Sequence, residues 1–209
     1  MEEPGEELLL LAAELVDIAS VSGEERTLAD VVESRLAACE GLEVIRVADN
    51  VIARSTHAAP ATVILAGHLD TVPPAGNERA RIEGGVLSGV GSADMKGGLA
   101  VMLALADRLS SHGGDIAARR LPGVVWCFYT CEEVDRARSG LLEIERRWPE
   151  LLQGDAAIVL EPTGGFVEAG CQGVLKVRLR MAGIRAHIAR PWTGENAVHR
   201  LGPVLEALR

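Results

Sequence analysis

Apolar residues recur along the first third of the chain with the period of helices and then change to that of strands. Leu8, Leu11, Ala12, Leu15, Ile18 and Ala19 share one helical face over residues 6 to 19, and Glu6 and Glu7 sit where the helix dipole favours acids. After a Ser22-Gly23 break, Leu28, Val31, Val32 and Leu36 predict a second helix from about Glu25 to Cys39. The period then shortens. Glu43 to Val47 and Val51 to Arg54 read as short strands around an Asp49-Asn50 turn.

Three unbroken apolar runs follow, Thr62 to Ala66, Val124 to Tyr129 and Ala156 to Leu160, with a helix from Met95 to Leu109 after the first. Such runs predict strands buried on both faces, so the fold class expected is α/β: a mostly parallel sheet flanked by helices. Beyond Gly164-Gly165, the segment Leu175 to Met181 alternates apolar and basic residues like a half-exposed strand, and Asn196 to Leu208 predicts a last helix. The expected division is a catalytic domain over residues 1–172, lacking its C-terminal segment, and the first strand and helix of a small α+β lid or dimerisation domain over 173–209.

Composition narrows the partners. A net charge of −9 argues against a phosphate backbone, so nucleic acid is not expected. No run approaches the roughly 20 apolar residues of a membrane span, and Met1-Glu2-Glu3-Pro4 is acidic where a secretory leader is basic. The four cysteines, Cys39, Cys127, Cys131 and Cys171, lack paired metal-finger spacing and are expected to be reduced thiols. A cytoplasmic setting follows as the expectation.

The chemistry lies just past each apolar run. His68-Leu69-Asp70 follows the first, Glu132-Glu133 the second and Glu161 the third, while Asp94 lies in the glycine-rich loop that opens the helix between. In open α/β sheets ligands bind in the crevice at the carboxyl ends of the strands. Several carboxylates gathered there would resist ionisation unless a cation neutralised them. A His, Asp and Glu set without cysteine suits zinc, with manganese or cobalt as substitutes. Asp70 could reach back to the second imidazole nitrogen of His68. Adjacent residues leaving a strand point different ways, so one of Glu132 and Glu133 can bind metal while the other takes a proton from water.

The motifs Gly67-His68-Leu69-Asp70-Thr71-Val72-Pro73, Ser92-Ala93-Asp94-Met95-Lys96-Gly97-Gly98, Cys131-Glu132-Glu133 and Leu160-Glu161-Pro162-Thr163 resemble, in this order, those of the aminoacylase and carboxypeptidase-type di-zinc hydrolases. Within that family, Gly170-Cys171-Gln172-Gly173, Arg185-Ala186-His187-Ile188-Ala189-Arg190-Pro191-Trp192 and Gly194-Glu195-Asn196-Ala197 most resemble the branch that removes succinate from N-succinyl-diaminopimelate. The resemblance implies two zinc ions, with His68 and Glu161 on one, Glu133 on the other and Asp94 bridging. It implies Glu132 as general acid/base, a cis Asp94-Met95 peptide, and His187 as a lid histidine that stabilises the oxyanion in a neighbouring subunit, hence a homodimer. It further implies a histidine ligand to the second zinc from a C-terminal segment, so the chain is expected to end before its last metal ligand. Other deacylases or dipeptidases of the family, and a non-catalytic metal-binding fragment, are the alternatives. No role is expected for His57, His112 or His199.

Overall fold

A computed structural model describes residues 4–111, 121–170 and 177–209. These residues divide into two compact units, Met1–Phe166 and Val167–Arg209. In the first, helices α1 (Pro4–Val16) and α2 (Arg26–Ala37) precede a hairpin of β1 (Leu42–Val47) and β2 (Asn50–Ser55). Then come β3 (Thr62–His68), the small hairpin of β4 (Arg81–Glu83) and β5 (Val86–Ser88), and α3 (Gly97–Ser111). Strand β6 (Gly123–Tyr129), helix α4 (Gly140–Arg147) and strand β7 (Ala156–Val159) complete it.

The main sheet has the order β1-β2-β6-β3-β7. Strands β6, β3 and β7 run parallel, whereas β1–β2 and β2–β6 are antiparallel, so the sheet is mixed. Its two faces are covered separately. Along β6, Trp126 and Phe128 point to one side, where α1, α2 and α3 contribute Leu15, Leu28, Val32, Leu99 and Leu103. Val125, Cys127 and Tyr129 point to the other, against Ile144 of α4 and Leu151. This alternation is the period-2 consequence of the pleat. Trp126 also donates its indole N–H to the Met102 carbonyl at 3.1 Å, which fastens α3 to the central strand.

Several expectations need correcting. The hairpin turns at Ala48-Asp49, one residue earlier than expected, because Asn50 already pairs with Val47 and its side-chain amide donates to the Val47 carbonyl. Strand β7, expected to be buried, is exposed along its whole length, since among the described residues only β3 pairs with it. The β4–β5 hairpin was not foreseen. Its Gly84 and Gly85 adopt φ of +58° and +79°, the left-handed pair that a tight two-residue turn requires. In the second unit, residues 177–181 form no strand, and Leu175 and Lys176 lie outside the described residues. The expected last helix is a short 3₁₀ turn, His199–Leu201, followed by α5 (Gly202–Ala207).

Candidate metal centre

Strand β3 delivers His68 to the carboxyl edge of the sheet, and the residue before it makes that placement possible. A β-carbon on Gly67 would stand 2.5 Å from Met95 Cε and 2.9 Å from Leu99 Cδ2, so glycine leaves room for the ends of these two side chains to close over the strand. Met95 Sδ in turn accepts the His68 backbone N–H at 3.1 Å. Beyond the strand, Leu69 N–H bonds the Tyr129 carbonyl and Thr71 N–H the Ser20 carbonyl, which fixes the backbone on both sides of Asp70.

The His68 ring is buried and its tautomer follows from its neighbours. Nδ1 lies 2.9 Å from the Asp70 carbonyl, which can only accept, so Nδ1 keeps its proton whether the ring is neutral or charged. Nε2 is thereby turned to the acids, 2.9 Å from Asp94 Oδ1 and 3.9 Å from Glu161 Oε1. Asp94 sits in the irregular turn Ser92–Lys96, with a cis peptide to Met95 as the resemblance implied. His68, Asp94 and Glu133 each offer one ligand atom, and these three atoms lie within 4.8 Å of one another. Glu161 follows Leu160, whose N–H continues the β7 ladder onto Ala66 O at 3.0 Å.

The structure therefore brings His68, Asp94, Glu133 and Glu161 together at one edge. Glu132 is adjacent, and its exposed side chain is not part of that close group. Asp70 does more than expected. Its carboxylate is fully buried and 3.5 Å from His68 Nδ1, a longer approach than that of its own carbonyl. The carboxylate accepts from Ser22 Oγ at 2.7 Å, from Glu132 N–H at 2.9 Å and from Glu133 N–H at 3.0 Å. Sequence reading placed Asp70 behind the imidazole but missed its grip on the paired glutamates. His187 lies in the second unit, exposed, with Nδ1 accepting the Ala189 N–H at 3.2 Å. Residues 171–173 of the Gly170-Cys171-Gln172-Gly173 motif, and His112, lie outside the described residues.

The electrostatics show how crowded the acids are. Burial pushes the Glu161 carboxyl up, and although His68 counters this, the negative field of Asp94 adds to it and the group stands at about 7. Glu133 is raised for the same reasons, burial first and then Asp94. Burial would lower His68, but the hydrogen bonds to Asp70 and Asp94 outweigh it and raise the imidazole to about 9. Asp70 goes the other way: burial is overcome by His68, the two backbone N–H groups and Ser22, which hold it at about 2. Acids that raise one another around a protonated histidine form a crowded charge cluster that a bound cation would relieve. The donor set, one imidazole nitrogen and several carboxylate oxygens, fits zinc, manganese or cobalt.

Comparison with known proteins finds relatives over most of the chain. The model of peptidase family M20/M25/M40 matches residues 64–196. A Mycobacterium tuberculosis protein provisionally named succinyl-diaminopimelate desuccinylase is 48% identical over 199 residues, 95% of this chain and 54% of its own length. The succinyl-diaminopimelate desuccinylase of Corynebacterium glutamicum is 42% identical over 209 residues, covering 97% and 55%. This chain thus spans about half the length of these curated relatives. Among solved structures, a Bacillus subtilis dinuclear metal-binding peptidase of the M20 family superposes with a TM-score of 0.54 at 16% identity, over 74% of this chain and 42% of the other.

Proposed function

The chain belongs to peptidase family M20/M25/M40, and on that premise we propose that it carries the metal centre of a succinyl-diaminopimelate desuccinylase. The reaction is hydrolysis of N-succinyl-LL-2,6-diaminopimelate to succinate and LL-2,6-diaminopimelate. The observation that carries this reading is the convergence of His68, Asp94 and Glu133, with Glu161 beside them, at the carboxyl edge of the sheet. The names of relatives at 48% and 42% identity support the substrate class.

In this reading His68 and Glu161 would hold one zinc ion and Glu133 a second, with Asp94 shared between them. A divalent cation held by these residues would supply polarisation of the amide carbonyl and a water whose pKa falls from about 16 to about 7. The chain's own residues do the rest. Asp70 fixes the imidazole through its backbone carbonyl, so that Nε2 faces the crevice. Its carboxylate fixes the backbone of Glu132 and Glu133. Glu133 is thereby directed toward His68 and Asp94, and the neighbouring Glu132 carboxylate stays free to take a proton from the attacking water and return it to the leaving nitrogen.

Residues 1–172 are assigned to the catalytic part and 173–209 to the start of a lid through which two copies pair. Exposed Ile188 and Trp192 support an apolar contact there, and His187 beside them is assigned to the oxyanion of the partner's site. Among the described residues no helix is long and apolar enough to cross a membrane. A cytoplasmic setting is part of the reading, supported by the buried free thiols Cys39, Cys127 and Cys131.

The test is succinate release by the zinc-loaded protein that carries this chain. N-succinyl-diaminopimelate is expected to be turned over in preference to N-acetylornithine. Glu132→Gln is expected to lower kcat by roughly 10²- to 10⁴-fold while bound zinc is retained. Preference for the acetylated substrate would move the protein to another deacylase of the family, and loss of zinc in Glu132→Gln would reverse the roles of the two glutamates.

A further inference from the structure

The turn that carries the paired glutamates is held by side chains from remote parts of the chain. Thr130 N–H donates to Asn50 Oδ1 at 2.9 Å and Cys131 N–H to Glu25 Oε1 at 3.1 Å. Glu132 and Glu133 N–H donate to the two carboxylate oxygens of Asp70. Four consecutive amides are thus each captured by a side-chain oxygen, from positions 62 to 106 residues away in sequence. The conformation needs such capture. Cys131 sits at φ +58°, in the left-handed region that a residue with a β-carbon avoids.

Glu25 is the unexpected member. It occupies the N-cap position of α2 yet makes no side-chain bond to its own helix. Instead its carboxylate, only 2% exposed, takes both the N–H and, at 3.5 Å, the S–H of Cys131. The desolvation of a buried carboxylate must be offset by charge-assisted bonds, and the Cys131 backbone is its chief partner. The same connecting segment supplies Ser22 to Asp70, so both acids that grip the turn are anchored between α1 and α2.

We propose that Glu25 is a positioning residue for the metal centre: by holding Cys131 in its left-handed conformation it sets where Glu132 and Glu133 leave the sheet. This rests on the reading of Glu133 as ligand and Glu132 as base. Glu25 itself touches neither substrate nor metal.

The variants are Glu25→Ala, which removes the acceptor, Glu25→Asp, which keeps the charge but shortens the reach by one methylene, and Glu25→Gln, which keeps an acceptor oxygen. Zinc affinity is measured by competition titration on each, and amide hydrogen exchange is followed residue by residue without metal. Glu25→Ala and Glu25→Asp are expected to lose about 10- to 100-fold in zinc affinity, the usual effect of removing a partner behind a metal ligand. They should exchange faster at residues 131–133 with no change in β3. In the hydrolysing protein kcat should fall over the same range with KM little changed, and Glu25→Gln, whose amide oxygen still accepts but without charge, should be impaired less than Glu25→Ala in every readout. Should Glu25→Ala fail to fold, Glu25→Asp carries the test.

Parent-like zinc affinity and exchange in both shortened variants would overturn the proposal. So would a Glu25→Gln variant as impaired as Glu25→Ala, since charge and not the captured N–H would then be what matters. A parent protein whose zinc binding ignores His68→Ala would instead sink the reading of the metal centre, and the exchange measurement would still decide whether Glu25 holds the turn.

Discussion

Zinc binding to this chain should expel protons in an amount the geometry sets. A metal takes the neutral imidazole and the ionised carboxylate, so any proton held on a ligand must leave. The carboxylates around His68 hold its pKa at about 9, so at pH 7 only about one molecule in a hundred has the ring neutral. Glu161, at about 7, is about half protonated there. Binding at pH 7 should therefore release more than one proton, about one from His68 and a further fraction from Glu161 and Glu133, whose carboxyls are both raised. Apparent affinity should rise roughly tenfold per pH unit from 7 toward 9 and level off above the imidazole pKa. Isothermal titration calorimetry in buffers of different ionisation enthalpy reads the proton count directly. A count near zero at pH 7, or an affinity flat from pH 7 to 9, would mean that zinc does not displace the His68 proton and binds elsewhere.

Two further outcomes concern the frame behind the site. Gly67→Ala would press a methyl against Met95 and Leu99, both fully buried, and such overpacking costs roughly 1–3 kcal/mol, read as a lower urea midpoint at unchanged slope; unchanged stability would show that α3 has slack there. Asp70 has its pKa depressed from 3.8 to about 2, so its stabilisation, about 2 kcal/mol, is complete above pH 4 and lost as pH falls toward 2. Asp70→Asn should accordingly be less stable than the parent at neutral pH, with the gap narrowing below pH 4; a gap independent of pH would refute the carboxylate's role.

The site was legible where function is local in sequence. His68, Glu132-Glu133 and Glu161 each come just after an apolar run, and a run that reads as a strand delivers the next residues to the sheet edge. The runs themselves carry no information about their surroundings. Ala156 to Leu160 is as apolar as Thr62 to Ala66, but Ala156 to Val159 are exposed and the other run is largely covered, because burial depends on which elements pack against a strand. The alternation at Leu175 to Met181 likewise predicts a strand, yet residues 177–181 pair with nothing in strand fashion among the described residues. The Gly84-Gly85 hairpin is marked in the sequence by adjacent glycines between short apolar stretches. Glu25 carried none, since its partner Cys131 is 106 residues away and its position reads as an ordinary helix start. Asp70 was half legible: two residues from His68, its approach to the ring follows from spacing, whereas its bonds to Glu132 and Glu133 arise only when β3 and β6 pair.

The measurement that bears most directly on the central claim is zinc-edge anomalous diffraction from crystals grown with zinc. Density is expected within about 2.0–2.2 Å of His68 Nε2 and of carboxylate oxygens from Asp94 and Glu161, with Glu133 at the same cluster and Glu132 clear of it. Anomalous peaks that avoid His68 and Asp94, or a zinc held by Glu132 in place of Glu133, would contradict the account.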